Sequence, residues 1–237
     1  MHGLRRLRAS HETPAPRQPL ILATTNPGKL RELRALLNDL PFDLRGLEEF
    51  GVAPPIESGA SFLENAMSKA KHAAALAADV AATPKFGATP NVAAIADDSG
   101  LEVDALGGAP GIFSARYAGA GADDAANNAK LMDALAGMCQ EQRRARYRCA
   151  VVFVSGAEDT APLIAEGVWE GLIIDTPRGA GGFGYDPYFW LEELGVTAAQ
   201  LGSNDKNRFS HRGIAMRALR AQLLARAQPV CGRAAQK

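Results

Sequence analysis

Between Leu20 and Leu40 the chain can do little except run as a strand, turn sharply and begin a helix. LILATT, residues 20–25, is a short apolar run of strand type. Asn26 then offers a helix N-cap, and Pro27 suits the first helical position, where a missing amide hydrogen costs nothing. Leu30, Leu33, Leu36, Leu37 and Leu40 follow at helical spacing, with Lys29, Arg31, Glu32 and Arg34 elsewhere on the wheel. A strand that hands directly to an amphipathic helix is the building unit of layered α/β folds.

The rest of the chain extends this pattern. Ser61 and Glu64 make a capping box for a second helix, NAMSKAKHAAALAA, striped by Leu63, Ala66, Met67, Ala70 and Ala73 or Ala74. A loop at 83–91 leads to the strand VAAIADD, and 123–137 is helical in pattern. RARYRCAVVFVSG predicts a strand, and 163–174, LIAEGVWEGLII, predicts strand on both sides of a Gly-containing turn. A last helix is expected from about Ser210 to Arg226. Strands and helices alternate first and strands cluster later, which predicts an α/β domain with a mixed sheet. Residues 20–228 form the expected single domain, between a disordered Arg-rich extension at 1–19 and a tail at 229–237.

Composition narrows the possible partners. Lys plus Arg equals Asp plus Glu at 26 each, so no global field recruits nucleic acid or an anionic membrane. No apolar run approaches the roughly 18 residues that span a bilayer. Cys139, Cys149 and Cys231 are scattered, with no CxxC and no Cys/His cluster. That argues against a disulfide framework or zinc site and points to a reducing, cytoplasmic setting.

Four stretches could carry chemistry. In TTNPGK, a strand meets a helix N-terminus, where amides and the dipole favour phosphate; Thr24, Thr25 and Asn26 add donors and Lys29 a charge. In AIADDSG, Asp97 and Asp98 point to opposite faces while the strand continues, and reach one site only if it ends at Ser99-Gly100. The pair is then either a solvated strand end or a Mg²⁺ site, with Glu57 as a candidate third acid. GAGGFG, residues 179–184, formally matches GxGxxG, but YDPYFW follows and Pro187 stops any helix, so it is no dinucleotide fingerprint. A Gly run carrying Phe183, Tyr185, Asp186 and Trp190 instead suits the grip of a flat heterocycle. SHRG places His211 and Arg212 in a first helical turn, against the dipole, with Lys206 nearby.

In order, TTNPGK, SFLENAMSKAKHAA, IADDSGLEVDALGGAPGIFSARYAG, GGFGYDP and SHRG resemble the inosine/xanthosine triphosphate pyrophosphatase family. The resemblance implies an elongated mixed sheet with flanking helices, two lobes around a central cleft, and a homodimer. It implies Mg²⁺-dependent hydrolysis of ITP, dITP and XTP to the monophosphate and pyrophosphate. On that pattern Thr24, Thr25, Asn26, Pro27, Gly28, Lys29 and Lys69 hold the triphosphate, and Glu57, Asp97 and Asp98 form the metal centre. Asp98 is the base that activates water, and Ser99 contacts substrate. Phe183, Gly184, Tyr185, Asp186, Lys206, His211 and Arg212 hold base and sugar. The Arg-rich extension and a longer loop at 83–91 depart from the pattern. Two rivals are a pyrophosphatase for pyrimidine or modified dNTPs and a catalytically silent nucleotide-binding module.

Overall fold

The structure, a computed structural model, describes residues 17–227 except 52, 54, 56 and 82–91. Most of the expected N-terminal extension, the loop at 83–91 and the tail at 229–237 lie outside the described residues.

Seven strands form one sheet in the order β2-β1-β3-β4-β5-β6-β7. Strand β1 (Gln18–Leu22), begun two residues before the expected domain boundary, pairs in parallel with β2 (Phe42–Gly46) and β3 (Ala93–Val103). Parallel partners need crossovers. Helix α1 (Pro27–Leu37) supplies the first and α2 (Phe62–Ala81) the second. From β3 onward the pairing is antiparallel, through β4 (Arg144–Val154), β5 (Leu163–Ile173), β6 (Phe189–Leu191) and β7 (Val196–Thr197). Helix α3 (Asp124–Ala134) precedes β4, and α4 (Ser203–Phe209) and α5 (His211–Ala227) close the fold. No helix among the described residues is long and apolar enough to cross a membrane.

Strand alternation sorts the core. Ile21, Ala94, Ala96 and Val152 face α2, whose Ala66, Ala70, Ala73 and Ala77 allow close approach. Leu20, Leu22, Ile95 and Val151 face the other way, under Leu33 and Leu37 of α1 and Ala215, Met216 and Leu219 of α5. Leu33 and Leu37 are fully buried, and truncating either to Ala costs about 2–5 kcal/mol. A third cluster occupies the distal halves of the long strands. There Leu131 and Leu135 of α3 meet Leu101, Tyr147, Trp169 and Phe189. Strands β3, β4 and β5 therefore span two lobes, with the cleft between α1 and α2 on one side and α3 on the other.

Three expectations change. Strand β3 does not end at Asp98 but runs through Ser99 and Gly100 to Val103, paired throughout with β4. Gly100 serves packing: a Cβ there would stand 2.4 Å from the Gly111 carbonyl oxygen and 2.5 Å from Ser114 Oγ. Strand β5 likewise has no turn. Gly167 lies inside it because a Cβ would meet the His211 carbonyl oxygen at 2.1 Å, so the missing side chain lets α5 sit down on the sheet. Finally, α4 was not expected before the last helix. Ser210 separates α4 from α5, its Oγ accepting from Gly213 N at 3.2 Å.

Candidate active site

A cleft of about 680 Å³ lies between the lobes, with the β1–α1 turn, α2, the Phe183–Asp186 loop and the start of α5 on its walls. Asn26 caps α1, its Oδ1 accepting from Gly28 N at 2.8 Å and Lys29 N at 3.1 Å. Two of the amides that a phosphate could use are therefore already taken. Thr24, Thr25, Asn26 and Lys29 line the cleft at this turn, their side chains offering hydroxyl, amide and ammonium donors. Pro27 occupies the first helical position, as expected. Gly28 is buried under Phe183, whose ring would lie 2.5 Å from a Cβ at that position.

Because β3 continues, its adjacent carboxylates serve opposite faces. Asp98 lines the cleft on the α2 side. Lys69 Nζ donates to Asp98 Oδ1 at 2.7 Å, and Asn65 Nδ2 donates to Asp98 Oδ2 at 3.1 Å. The same Lys69 ammonium lies 3.1 Å from Glu57 Oε1, and Arg116 Nη1 donates to Glu57 Oε2 at 2.8 Å. Burial alone would raise Glu57 and lower Lys69. The opposite charges outweigh it, holding the Glu57 carboxyl below and the Lys69 ammonium above their ordinary ranges.

Asp97 is fully buried on the other face. Arg212 donates to its Oδ2 from Nε at 3.1 Å and Nη2 at 2.9 Å, and Lys29 Nζ stands 3.2 Å from the same oxygen. Burial opposes the charged form, yet Lys29 and Arg212 hold this carboxyl far below the usual range. Among the described residues no three acids, histidines or cysteines converge as a metal cluster. Of the three acids expected at a metal centre, Glu57 and Asp98 line the cleft, while Asp97 lies on the opposite face of the unbroken strand from Asp98.

The far end of the cleft is a charged network under an aromatic ring. Lys206 Nζ donates to Asp186 Oδ2 at 2.6 Å and pairs with Glu32 Oε1 at 3.1 Å; Arg212 also pairs with Glu32 and donates to Ser99 Oγ at 2.8 Å. Phe183 lies over both cations, 4.7 Å from Lys206 Nζ and 5.9 Å from the Arg212 guanidinium carbon. Asp186 Oδ2 also accepts from Phe183 N at 2.9 Å, which ties the loop down; burial nevertheless raises this carboxyl. The His211 ring stacks on Tyr147, centroids 4.7 Å apart and 10° between planes. Burial, with Arg212 and Lys206 nearby, pushes its pKa well below 6.5, so the imidazole is neutral. Tyr185 is spent on anchoring, its hydroxyl donating to the Ser114 carbonyl at 2.8 Å.

All the sequence-predicted site residues except Asp97, Pro27, Gly28 and Trp190 line this one cleft; Trp190 lies in β6, opposite Leu172 of β5. A family model described as the Ham1 family matches residues 20–222.

The chain belongs to the Ham1 family.

A protein from Methylococcus capsulatus called dITP/XTP pyrophosphatase is 50% identical over 209 residues, which cover 88% of this chain and 98% of that one. A protein of the same name from Thioalkalivibrio sulfidiphilus is 49% identical over 207 residues, covering 87% and 99%. The structure of a HAM1 protein from Coxiella burnetii superposes with a TM-score of 0.75 at 41% identity, over 89% of this chain and all of that one. Around this Ham1-family cleft, sequence reasoning missed Arg116, Asp124 and Tyr147 in its lining, and Glu32 and Asn65 just behind it, paired with Lys206, Arg212 and Asp98. Helical spacing could have found two of them: Glu32 follows Lys29 by one turn of α1, and Asn65 precedes Lys69 by one turn of α2. The others reach the cleft only through tertiary packing.

Proposed function

We propose that the chain hydrolyses ITP, dITP and XTP to the nucleoside monophosphate and pyrophosphate. The observation that carries this is one cleft holding a carboxylate beside cations, Asp98 with Lys69, and an aromatic grip for a base, Phe183 over Lys206 and Arg212. The Ham1-family relatives named dITP/XTP pyrophosphatase support the substrate class.

In this reading the triphosphate lies along Thr24, Thr25, Lys29 and Lys69, and the base enters beneath Phe183 beside Lys206, His211 and Arg212. Ser99 and Asp186 hold those cations in place. Asp98 accepts the proton of a water whose oxygen attacks the α-phosphorus. As that P–O bond forms, the bond to the bridging oxygen breaks and pyrophosphate leaves. Two carboxylates in reach of one ammonium, with phosphate oxygens alongside, are the hard-oxygen donor set that Mg²⁺ takes. Glu57 and Asp98 would hold that ion. When bound it supplies charge neutralisation on the phosphate oxygens.

Selectivity follows from pairing. Hypoxanthine and xanthine present a 6-oxo acceptor and an N1–H donor, and adenine presents the reverse, so a site built for one leaves buried groups unpaired with the other. We place the enzyme in the cytoplasm as a homodimer. The open face of β5 favours self-association: exposed Ile164 and Val168 alternate there with Glu166 and Glu170, while Arg146 and Arg148 stand beside them on β4. The deciding experiment is a nucleotide panel read by pyrophosphate release, with Mg²⁺ and with excess chelator. Release from ITP and XTP only with the metal is expected. Turnover of dTTP or UTP with none of ITP would overturn the reading.

A further inference from the structure

Helix α3 contributes none of the residues expected to touch substrate, yet it holds two walls of the cleft. Asp123 is the N-cap, its Oδ1 accepting from Ala126 N at 2.8 Å. Asp124 is thereby released from capping. Its Oδ2 accepts from Gly184 N at 2.6 Å. One turn on, Asn128 Nδ2 donates to the Gly184 carbonyl at 2.9 Å and to the Asp124 carbonyl at 2.8 Å. Both backbone polar groups of Gly184 are therefore held by one helix, at a residue whose φ of +62° only glycine adopts easily. Asn127, next along, accepts from Ala118 N at 2.8 Å and donates to the Ala115 carbonyl at 3.2 Å. That second loop carries Arg116, the partner of Glu57. Asn127 and Asn128 are 3% and 8% exposed, so their amides meet these backbone groups rather than water.

The geometry points to Asp124 and Asn128 as positioning residues that set the opening at the base end of the cleft by clamping Gly184. Gly184 lies between Phe183 and Tyr185. Phe183 covers the charged network, and the Tyr185 hydroxyl is already pinned to Ser114. With the N–H and the carbonyl of Gly184 both held, the backbone that carries Phe183 is restrained, which keeps the loop from shifting outward to admit a bulkier base edge. Guanine differs from hypoxanthine by its 2-amino group, so a loosened loop gives up discrimination first against GTP. This inference rests on the proposed nucleotide chemistry for its selectivity readout, but not for its structural one.

The test uses Asp124→Ala, Asn128→Ala and the conservative Asp124→Asn, which keeps an acceptor oxygen, in the full-length protein. Hydrogen exchange at the Gly184 amide should quicken about tenfold or more in the two alanine variants and stay near wild type in Asp124→Asn; unchanged exchange overturns the clamp whatever the enzyme turns over. The ratio of kcat/KM for ITP to that for GTP should shrink about three- to tenfold in the alanine variants, the size of one lost hydrogen bond, through a rise in kcat/KM for GTP. Asp124→Asn should restore it. A wild-type ratio, or an equal fall for both nucleotides, overturns the positioning role. Melting temperature is recorded for each variant, and one that loses stability while keeping the ratio also counts against it. Should the wild type release no pyrophosphate from any purine triphosphate, the functional reading fails and the exchange result alone judges the clamp.

Discussion

Arg212 grips Asp97 through two nitrogens that converge on one oxygen, Nε at 3.1 Å and Nη2 at 2.9 Å, with both side chains out of solvent. Removing one member of such a pair leaves a buried charge with too few partners. Arg212→Ala should therefore destabilise the fold by about 3–5 kcal/mol. Urea unfolding measures this, and a loss below about 1 kcal/mol would show that Lys29 alone can satisfy Asp97.

Asp98 is held from two sides, by Lys69 and Asn65, while still lining the cleft. Asp98→Asn keeps the shape and removes the proton acceptor. Its kcat should fall about 10²–10⁴-fold, with a melting temperature within a few degrees of wild type. Turnover near normal would remove Asp98 from water activation.

His211 predicts a pH dependence of stability. Its folded pKa lies well below the unfolded value of about 6.5, so below that pH the unfolded chain binds a proton that the native protein refuses. The stability it contributes is complete above about pH 6.5 and declines as the pH falls. His211→Phe can still stack on Tyr147 but cannot titrate. Between pH 6.5 and 5 its unfolding free energy should fall less steeply than that of the wild type, by a difference that grows towards about 1.4 kcal/mol per pH unit at the acid end. Parallel curves would mean that His211 charges freely in the native state.

Gly28 to Ala is usually favourable in a first helical turn. Here the added Cβ would strike the Phe183 ring at 2.5 Å and 2.8 Å. Gly28→Ala should displace Phe183 and raise the KM for ITP several-fold with little change in melting temperature. An unaltered KM would show that Phe183 does not hold the base.

Local chemistry made much of this protein legible. The Asn26 cap with Pro27 appears as expected, and half of the Ser61–Glu64 capping box does: Glu64 N donates to Ser61 Oγ at 3.1 Å, while the Glu64 carboxylate accepts from Ala60 N at 2.9 Å rather than from Ser61 N. What failed was the reading of glycine. Ser99-Gly100 and the glycines of β5 looked like breaks, but Gly100 and Gly167 sit inside strands where other backbone comes too close for a side chain. A sequence shows the missing Cβ without the neighbour that requires it. The same limit hid Arg116 and Asp124, which meet Glu57 at a separation of 59 residues and Gly184 at 60.

The pairing of β3 with β4 runs without interruption from Ala94 opposite Val154 to Val103 opposite Ala145, placing Asp97 across from Val151 and Asp98 across from Ala150. Side chains in a strand change face at every residue, so a slip of one position would exchange the two carboxylates. The buried counter-ion of Arg212 would become the cleft acid, and the cleft acid would lose Lys69. Which aspartate lines the cleft is thus decided by the register of the β3–β4 pairing. A one-residue insertion or deletion in β3 ahead of Asp97 should therefore cost turnover as the loss of Asp98 does.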